Sequence, residues 1–151
     1  MSQFFIIAMA SYLIGSYFII QQPHEDRRSI LLDFAKGYLV MLASGFYLHA
    51  GLSFLFAATA VLAGHTKPLF HNFHGHTTEA VSLGIIFFMS KPMAIILFLI
   101  FLLGSKLLRD YDNAVFATSL AVTPLAMAFF QSDSFIIASM VIFVSLGVEF
   151  W

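Results

Sequence analysis

Cysteine is absent from the 151 residues. That excludes disulfides, thiolate metal ligands and a cysteine nucleophile, and leaves the redox compartment open. Charge is scarce as well: only 10% of residues are Asp, Glu, Lys or Arg, with a formal net charge of −1. With no basic patch or aromatic-basic platform, nucleic acid is excluded as a partner. The first apolar run, residues 3–20, has neither a basic leader nor a small-residue cleavage site, so it reads as a retained helix and not as a removable signal. For metal chemistry only His, Asp and Glu remain.

What is present is apolar bulk. The chain is 60% hydrophobic with 19 Phe and has a mean hydropathy of +0.92, far above a soluble domain at about 45–50% apolar. This is the composition of an integral membrane protein. Apolar segments fall at 4–20, 30–43, 52–62, 80–89, 93–108, 114–130 and 135–151, separated by short polar or Gly/Pro-marked joints. The pattern predicts an all-α, polytopic bundle of about seven helices. The third and fourth segments have about 11 and 10 residues, against roughly 17–25 for a lone span. They are either extended by neighbouring loop residues or are half-helices beside an ordered re-entrant loop, which is tolerated only where it is buried or lines a polar cavity.

Alternating sides along seven helices puts Arg27, Arg28, Lys67, Lys106 and Arg109 together and Lys91 alone opposite, with Lys36 inside the second helix. The bias assigns the first side to the cytoplasm. The expected topology therefore has the amino terminus outside, the carboxyl terminus inside and the joint around residue 70 cytoplasmic. No internal repeat or second domain is evident, so residues 1–151 read as one multi-pass domain of the plasma membrane.

Two places could carry chemistry. In ILLDFAKGYLV, Asp33 and Lys36 stand at i, i+3, where they can pair on one helix face. Ionisable groups in such a run are costly and point to function; the alternative is an interfacial pair with Lys36 snorkelling to the headgroups. The second place is AGHTKPLFHNFHGHTTEA, residues 63–80, which holds four of the six histidines. His71, His74, His76 and Glu79 are a nitrogen-oxygen set of the kind that binds zinc, copper, iron or nickel, although H-x5-H-x2-H-x-H matches no rigid ligand template. His74 and Glu79 also have the H-x4-E spacing of an imidazole base with an orienting carboxylate. In the segment LLRDYDNA, Asp110 and Asp112 beside Arg109 read as a solvated turn, and Pro124 as a helix kink.

Three stretches in order resemble one family. YLIGS at 12–16 is similar to YLxGS, LLDFAKG at 31–37 looks like DxxKG, and AVLAGHTKPLFHNFHG at 60–75 looks like xxxGHxxPxFxxFKGG. The family is the bacterial PlsY type of acyl-phosphate:glycerol-3-phosphate acyltransferase, a compact seven-helix membrane enzyme. The resemblance implies glycine-rich cytoplasmic loops that bind phosphates through backbone N–H groups and basic side chains, direct attack of a glycerol phosphate hydroxyl on the acyl phosphate, and no cofactor. Glycine permits close backbone approach to a phosphate, and a lysine neutralises its charge. Carried over residue by residue, it implies catalytic or site-lining roles for His65, His74, Asp33 and Lys36, and phosphate contacts from Gly64, Gly75, His76, Thr77, Lys67, Arg27 and Arg28. The partners implied are membrane lipids, acyl phosphate and glycerol 3-phosphate.

The sequence also departs from the family. F-K-G-G-K-G falls on Phe73, His74, Gly75, His76, Thr77 and Thr78, so both lysines and two of the three glycines are replaced. Where the family has GSGNxGxTN, this chain has QQPHEDRRS at 21–29; where the family continues as RHxxNIxR, it stops at GVEFW. Scaffold-shaping residues persist: Gly15, Ser16, Gly37, Gly64, Pro68, Gly75 and Gly84. Two expectations result: an acyltransferase, or a non-catalytic descendant that binds lipids or a protein partner. A histidine metal site is a third.

Overall fold

The structure, a computed structural model, describes residues 2–17, 27–47, 51–69 and 77–148. Seven helices follow in order: α1 (Ser2–Tyr17), α2 (Arg27–Tyr47), α3 (Gly51–Thr66), α4 (Glu79–Met89), α5 (Lys91–Leu108), α6 (Tyr111–Phe129) and α7 (Asp133–Val148). Among the described residues there is no strand, so the all-α expectation holds.

Both ends of α2 overshoot the apolar run that announces it, and α3 runs four residues past its own. Gly64 and His65, expected in a loop, form the last turn of α3, because tertiary contacts outweigh the weak helix propensity of glycine. The Thr66 hydroxyl donates back to Leu62 O at 3.1 Å. At 16 residues, α3 is about 24 Å long, which favours extension over the half-helix alternative; α4, with 11 residues, stays short.

The later joints follow local chemistry. Ser90 caps α5 by accepting from Met93 N at 3.3 Å, with Pro92 in the first turn where no N–H is needed. Asp110 caps α6, accepting from Asp112 N at 3.3 Å and from Asn113 Nδ2 at 2.6 Å. Pro124 lies inside α6 without ending it. Among the described helices, α5 and α6 are long and apolar enough to cross a membrane.

Packing is ring-like. α1 leans on α3, α2 on α4, α4 on α5, α5 on α6, α6 on α7, and α7 returns to α3. Successive helices α3 and α4 hardly touch. Met41, Val61, Val81, Ile85, Leu97 and Ile142 are buried in the centre, together with Ser11, Ser16, Ser53, Ser119 and Ser139. Leucines and phenylalanines point outward, among them Phe98, Leu99, Leu102 and Leu103 on α5. Such a face is untenable in water but natural against lipid, where small and hydroxylated residues mediate helix contacts.

Two helix pairs cross unusually closely, and they do so in the same way. On α1 and α3, a Cβ on Gly15 would meet Val61 O and one on Gly64 would meet Tyr12 O; on α2 and α4, Gly37 faces Val81 O and Gly84 faces Phe34 O. Each glycine thus faces the carbonyl three residues before its partner glycine, in YLIG against VLAG and FAKG against VSLG. All four approaches are nearer than the 3.0 Å that real Cβ atoms keep. Gly84→Ala is therefore expected to push α2 from α4 and cost about 1–3 kcal/mol. Gly104, whose added Cβ would find only ordinary contact with Ala114 at 3.5 Å, should accept alanine with no loss and gain up to about 1 kcal/mol of helix propensity. Thermal unfolding of the two variants in detergent compares them directly.

Candidate functional site

Beside these crossings lies a buried polar chain. Lys36 precedes Gly37 on α2, and His65 follows Gly64 on α3, so the two close pairs bring these side chains face to face. Lys36 Nζ donates to Asp33 Oδ1 at 3.0 Å, one turn back on α2, and makes a longer contact to His65 Nδ1 at 3.4 Å. His65 Nε2 is 3.0 Å from Thr77 O, just before α4. The polar line Asp33–Lys36–His65–Thr77 thus joins α2, α3 and the start of α4. His65 is fully buried and the Lys36 side chain is only 2% exposed, while Asp33 is 21% exposed. The snorkelling alternative does not hold: Lys36 points inward, and its charge is met within the bundle.

A second set of bonds ties α1 to the end of α3. The Tyr12 hydroxyl donates to Lys67 O at 2.6 Å, and the Ser16 hydroxyl donates to Gly64 O at 3.4 Å. These carbonyls lie in the last turn of α3 and just beyond it, where a helix leaves its acceptors unmet. Pro68 is buried and Leu69 is exposed.

Of the residues expected from sequence, Asp33, Lys36 and His65 are brought together, and Thr77 joins them through its carbonyl. Gly64 adjoins this group with its Cα face against α1. Lys67 lies at the exit of α3 with its side chain exposed, and Glu79 opens α4 half-buried. Arg27 and Arg28 are the first residues of α2, but their side chains lie outside the described residues, as do His71, His74, Gly75 and His76. Among the described residues no three His, Asp or Glu side chains gather as a metal would require. The sequence reading did not single out Tyr12 as a site residue, although a tyrosine hydroxyl in an apolar helix needs a hydrogen-bond partner. Between α3 and α7 an apolar groove of about 370 Å³ runs along Leu62, Ala63, Thr66, Ile137, Val141 and Val144.

The model of a family described as glycerol-3-phosphate acyltransferase matches residues 28–150. The chain belongs to that family. Its fold is similar to the crystal structure of PlsY, an integral membrane glycerol 3-phosphate acyltransferase, in its glycerol 3-phosphate form, with a TM-score of 0.84 at 18% identity over 97% of this chain and 87% of that one. The lysophosphatidic acid form of the same protein matches with a TM-score of 0.82 at 20% identity over the same shares. A search of curated protein sequences finds no significant match. The fold is thus shared over most of both chains, at an identity low enough that only the fold carries over from these two structures.

In this acyltransferase-family chain, Lys36 and Asp33 form an ion pair whose lysine end is buried. Breaking a buried ion pair from one side costs roughly 3–5 kcal/mol, and the partial exposure of Asp33 lowers the expected loss for Lys36→Met to about 1–3 kcal/mol. The Asp33→Asn/Lys36→Met double variant removes both charges and should lose less than the sum of the single losses by about 1 kcal/mol or more, measured as a double-mutant cycle on unfolding in detergent.

Proposed function

We propose that this chain is a membrane acyltransferase of phospholipid synthesis, taking an acyl group from acyl phosphate to glycerol 3-phosphate at the α2–α3–α4 junction. The observation that carries the reading is the Asp33–Lys36–His65–Thr77 line. Ionisable groups are expensive inside a membrane bundle and are retained where they serve a site. Family membership supplies the reaction class, and the two similar structures were obtained in forms named for glycerol 3-phosphate and for lysophosphatidic acid. The apolar groove beginning at Thr66 offers a place beside this junction for an acyl chain.

In the proposed reaction the acceptor hydroxyl oxygen forms an ester bond to the acyl carbon, the bond from that carbon to the phosphate oxygen breaks, and the hydroxyl proton leaves with inorganic phosphate. No residue is acylated, which suits a chain without cysteine. Asp33, Lys36 and His65 underlie the site, with His74 as a further site-lining residue; Gly64, Lys67, Gly75, His76, Thr77, Arg27 and Arg28 are the proposed phosphate-side positions. The protein is placed in the plasma membrane as a single multi-pass domain, amino terminus outside and carboxyl terminus cytoplasmic.

A second reading, a non-catalytic descendant that binds lipid or a protein partner, is favoured by one observation. The positions of the family's two loop lysines hold His74 and Thr77, and the latter is a neutral side chain with its carbonyl turned to His65.

Purified protein given acyl phosphate and labelled glycerol 3-phosphate is expected to form lysophosphatidic acid; no turnover above a lipid-only control, with the protein folded, rejects the first reading. Growth of a strain lacking its own acyltransferase when this chain is supplied rejects the second. The His74→Lys/Thr77→Lys variant restores two cations, and each charge-assisted contact is worth about 1.5–3 kcal/mol, so kcat/KM for glycerol 3-phosphate should rise at least tenfold. Topology is open to single-cysteine labelling in this cysteine-free chain: a cysteine at Leu69, which is 51% exposed, should react from the cytoplasmic side, and reaction from outside alone inverts the assignment.

A further inference from the structure

We propose that Lys106 and Arg109, at the end of α5, form a headgroup site for an anionic phospholipid whose acyl chains lie along the exposed leucines of the same helix. Arg109 closes α5 with φ 53° and ψ 21°, and among the described residues it is the one non-glycine residue with positive φ. Helices that end in this left-handed conformation usually do so on glycine, because a Cβ is crowded there. The backbone therefore gives no reason for an arginine at 109, and strain of this kind gathers where a side chain has work to do. Lys106 stands three residues earlier, and both side chains are exposed. Among the described residues neither makes an ion pair or a side-chain hydrogen bond. The carboxylates that follow do not neutralise them by contact. Asp110 Oδ1 accepts from Asp112 N at 3.3 Å and Oδ2 from Asn113 Nδ2 at 2.6 Å, so that group is occupied in capping α6. Asp112 stands in the first turn of α6, where the helix dipole favours it.

The surface beneath these two cations is apolar. Leu99, Leu102 and Leu103 share a helix face with Lys106 and are exposed, and Leu107 is 78% exposed. With 18 residues, α5 is about 27 Å long, close to the roughly 30 Å thickness of a bilayer's hydrocarbon layer. Its last turn thus emerges at the level of lipid phosphates, with the leucines one leaflet deep below it. Charge complementarity names the occupant. A phosphate can lie between the ammonium and the guanidinium, which meets it with two parallel N–H donors, while its acyl chains follow the leucine face. A zwitterionic lipid brings the same phosphate with a cation of its own beside it, so the site discriminates by net charge. Binding of such a lipid needs neither acyl phosphate nor glycerol 3-phosphate, and its outcome is independent of the acyltransferase reading above.

The full chain in detergent is titrated with phosphatidylglycerol and, separately, with phosphatidylcholine of the same acyl chains, and the retained lipid is counted by native mass spectrometry. A basic residue at an anionic lipid surface contributes about fivefold in affinity, so the parent should hold phosphatidylglycerol about tenfold or more tightly than phosphatidylcholine, and Lys106→Gln/Arg109→Gly should bring the two within about twofold. Arg109→Gly alone separates side chain from backbone. Glycine relieves the left-handed strain, so the lipid-free thermal midpoint should equal or exceed that of the parent while the preference for phosphatidylglycerol falls. A parent that holds both lipids equally, or a double variant that keeps the parent's preference, overturns the proposal. Inorganic phosphate that displaces phosphatidylglycerol at equal concentration leaves the leucines no part and overturns it as well. So does a Leu107→Cys chain that cross-links to a second copy in phosphatidylglycerol nanodiscs, which assigns this face to a dimer. Should the double variant fail to fold, Lys106→Gln and Arg109→Gly taken singly carry the same decision.

Discussion

A lysine ammonium inside an apolar bundle has to be met by polar atoms, and much of this molecule is arranged around meeting that of Lys36. Asp33 supplies the countercharge from the same helix, and His65 Nδ1 stands 3.4 Å away on another. For His65 to reach it, α2 and α3 must present their polar residues at the same level beside helices packed almost backbone to backbone. Glycine is what allows that packing: a single methyl group at Gly37 or Gly64 would collide with a carbonyl of α4 or α1. The electrostatic requirement at Lys36 and the steric requirement at the glycines are adjacent in sequence, as Lys36-Gly37 and Gly64-His65, because each glycine sets the depth at which its neighbour's side chain emerges.

The same arrangement gives the interior its unusual composition. Serines, a lysine and a histidine are buried, while leucines and phenylalanines face outward. Without water to solvate them, polar groups turn to one another and to backbone carbonyls. Ser44, Ser119, Ser139 and Ser145 all donate to a carbonyl three residues earlier in their own helix. Tyr12 and His65 instead reach carbonyls outside their own helices, those of Lys67 and Thr77 at the two ends of the α3–α4 connection.

Much of the fold was legible in the sequence. Seven apolar runs became seven helices, because hydropathy and length decide what lies in lipid, and Asp33 and Lys36 paired as their i, i+3 spacing required. The extent of α3 was not legible, since Gly64 and His65 look like loop residues until the partners that hold them in a helix are known. The contact between Lys36 and His65, 29 residues apart, depends on which helices cross, and hydropathy does not encode neighbours. The partner of the Tyr12 hydroxyl, Lys67 O, was hidden for the same reason. The repeated crossing, aromatic-x-x-Gly against Val-x-x-Gly, is a pattern of two residues in four, too sparse to detect along the chain and plain once the helices are paired.

One feature of the packing bears on how such a chain diverges. α3 and α4 are consecutive yet lean on different partners: α1 packs on one and α2 on the other, so each pair keeps its own close glycine crossing. With those two crossings kept, a family member can share fewer than one residue in five with a relative and still have a similar fold over nearly its whole length.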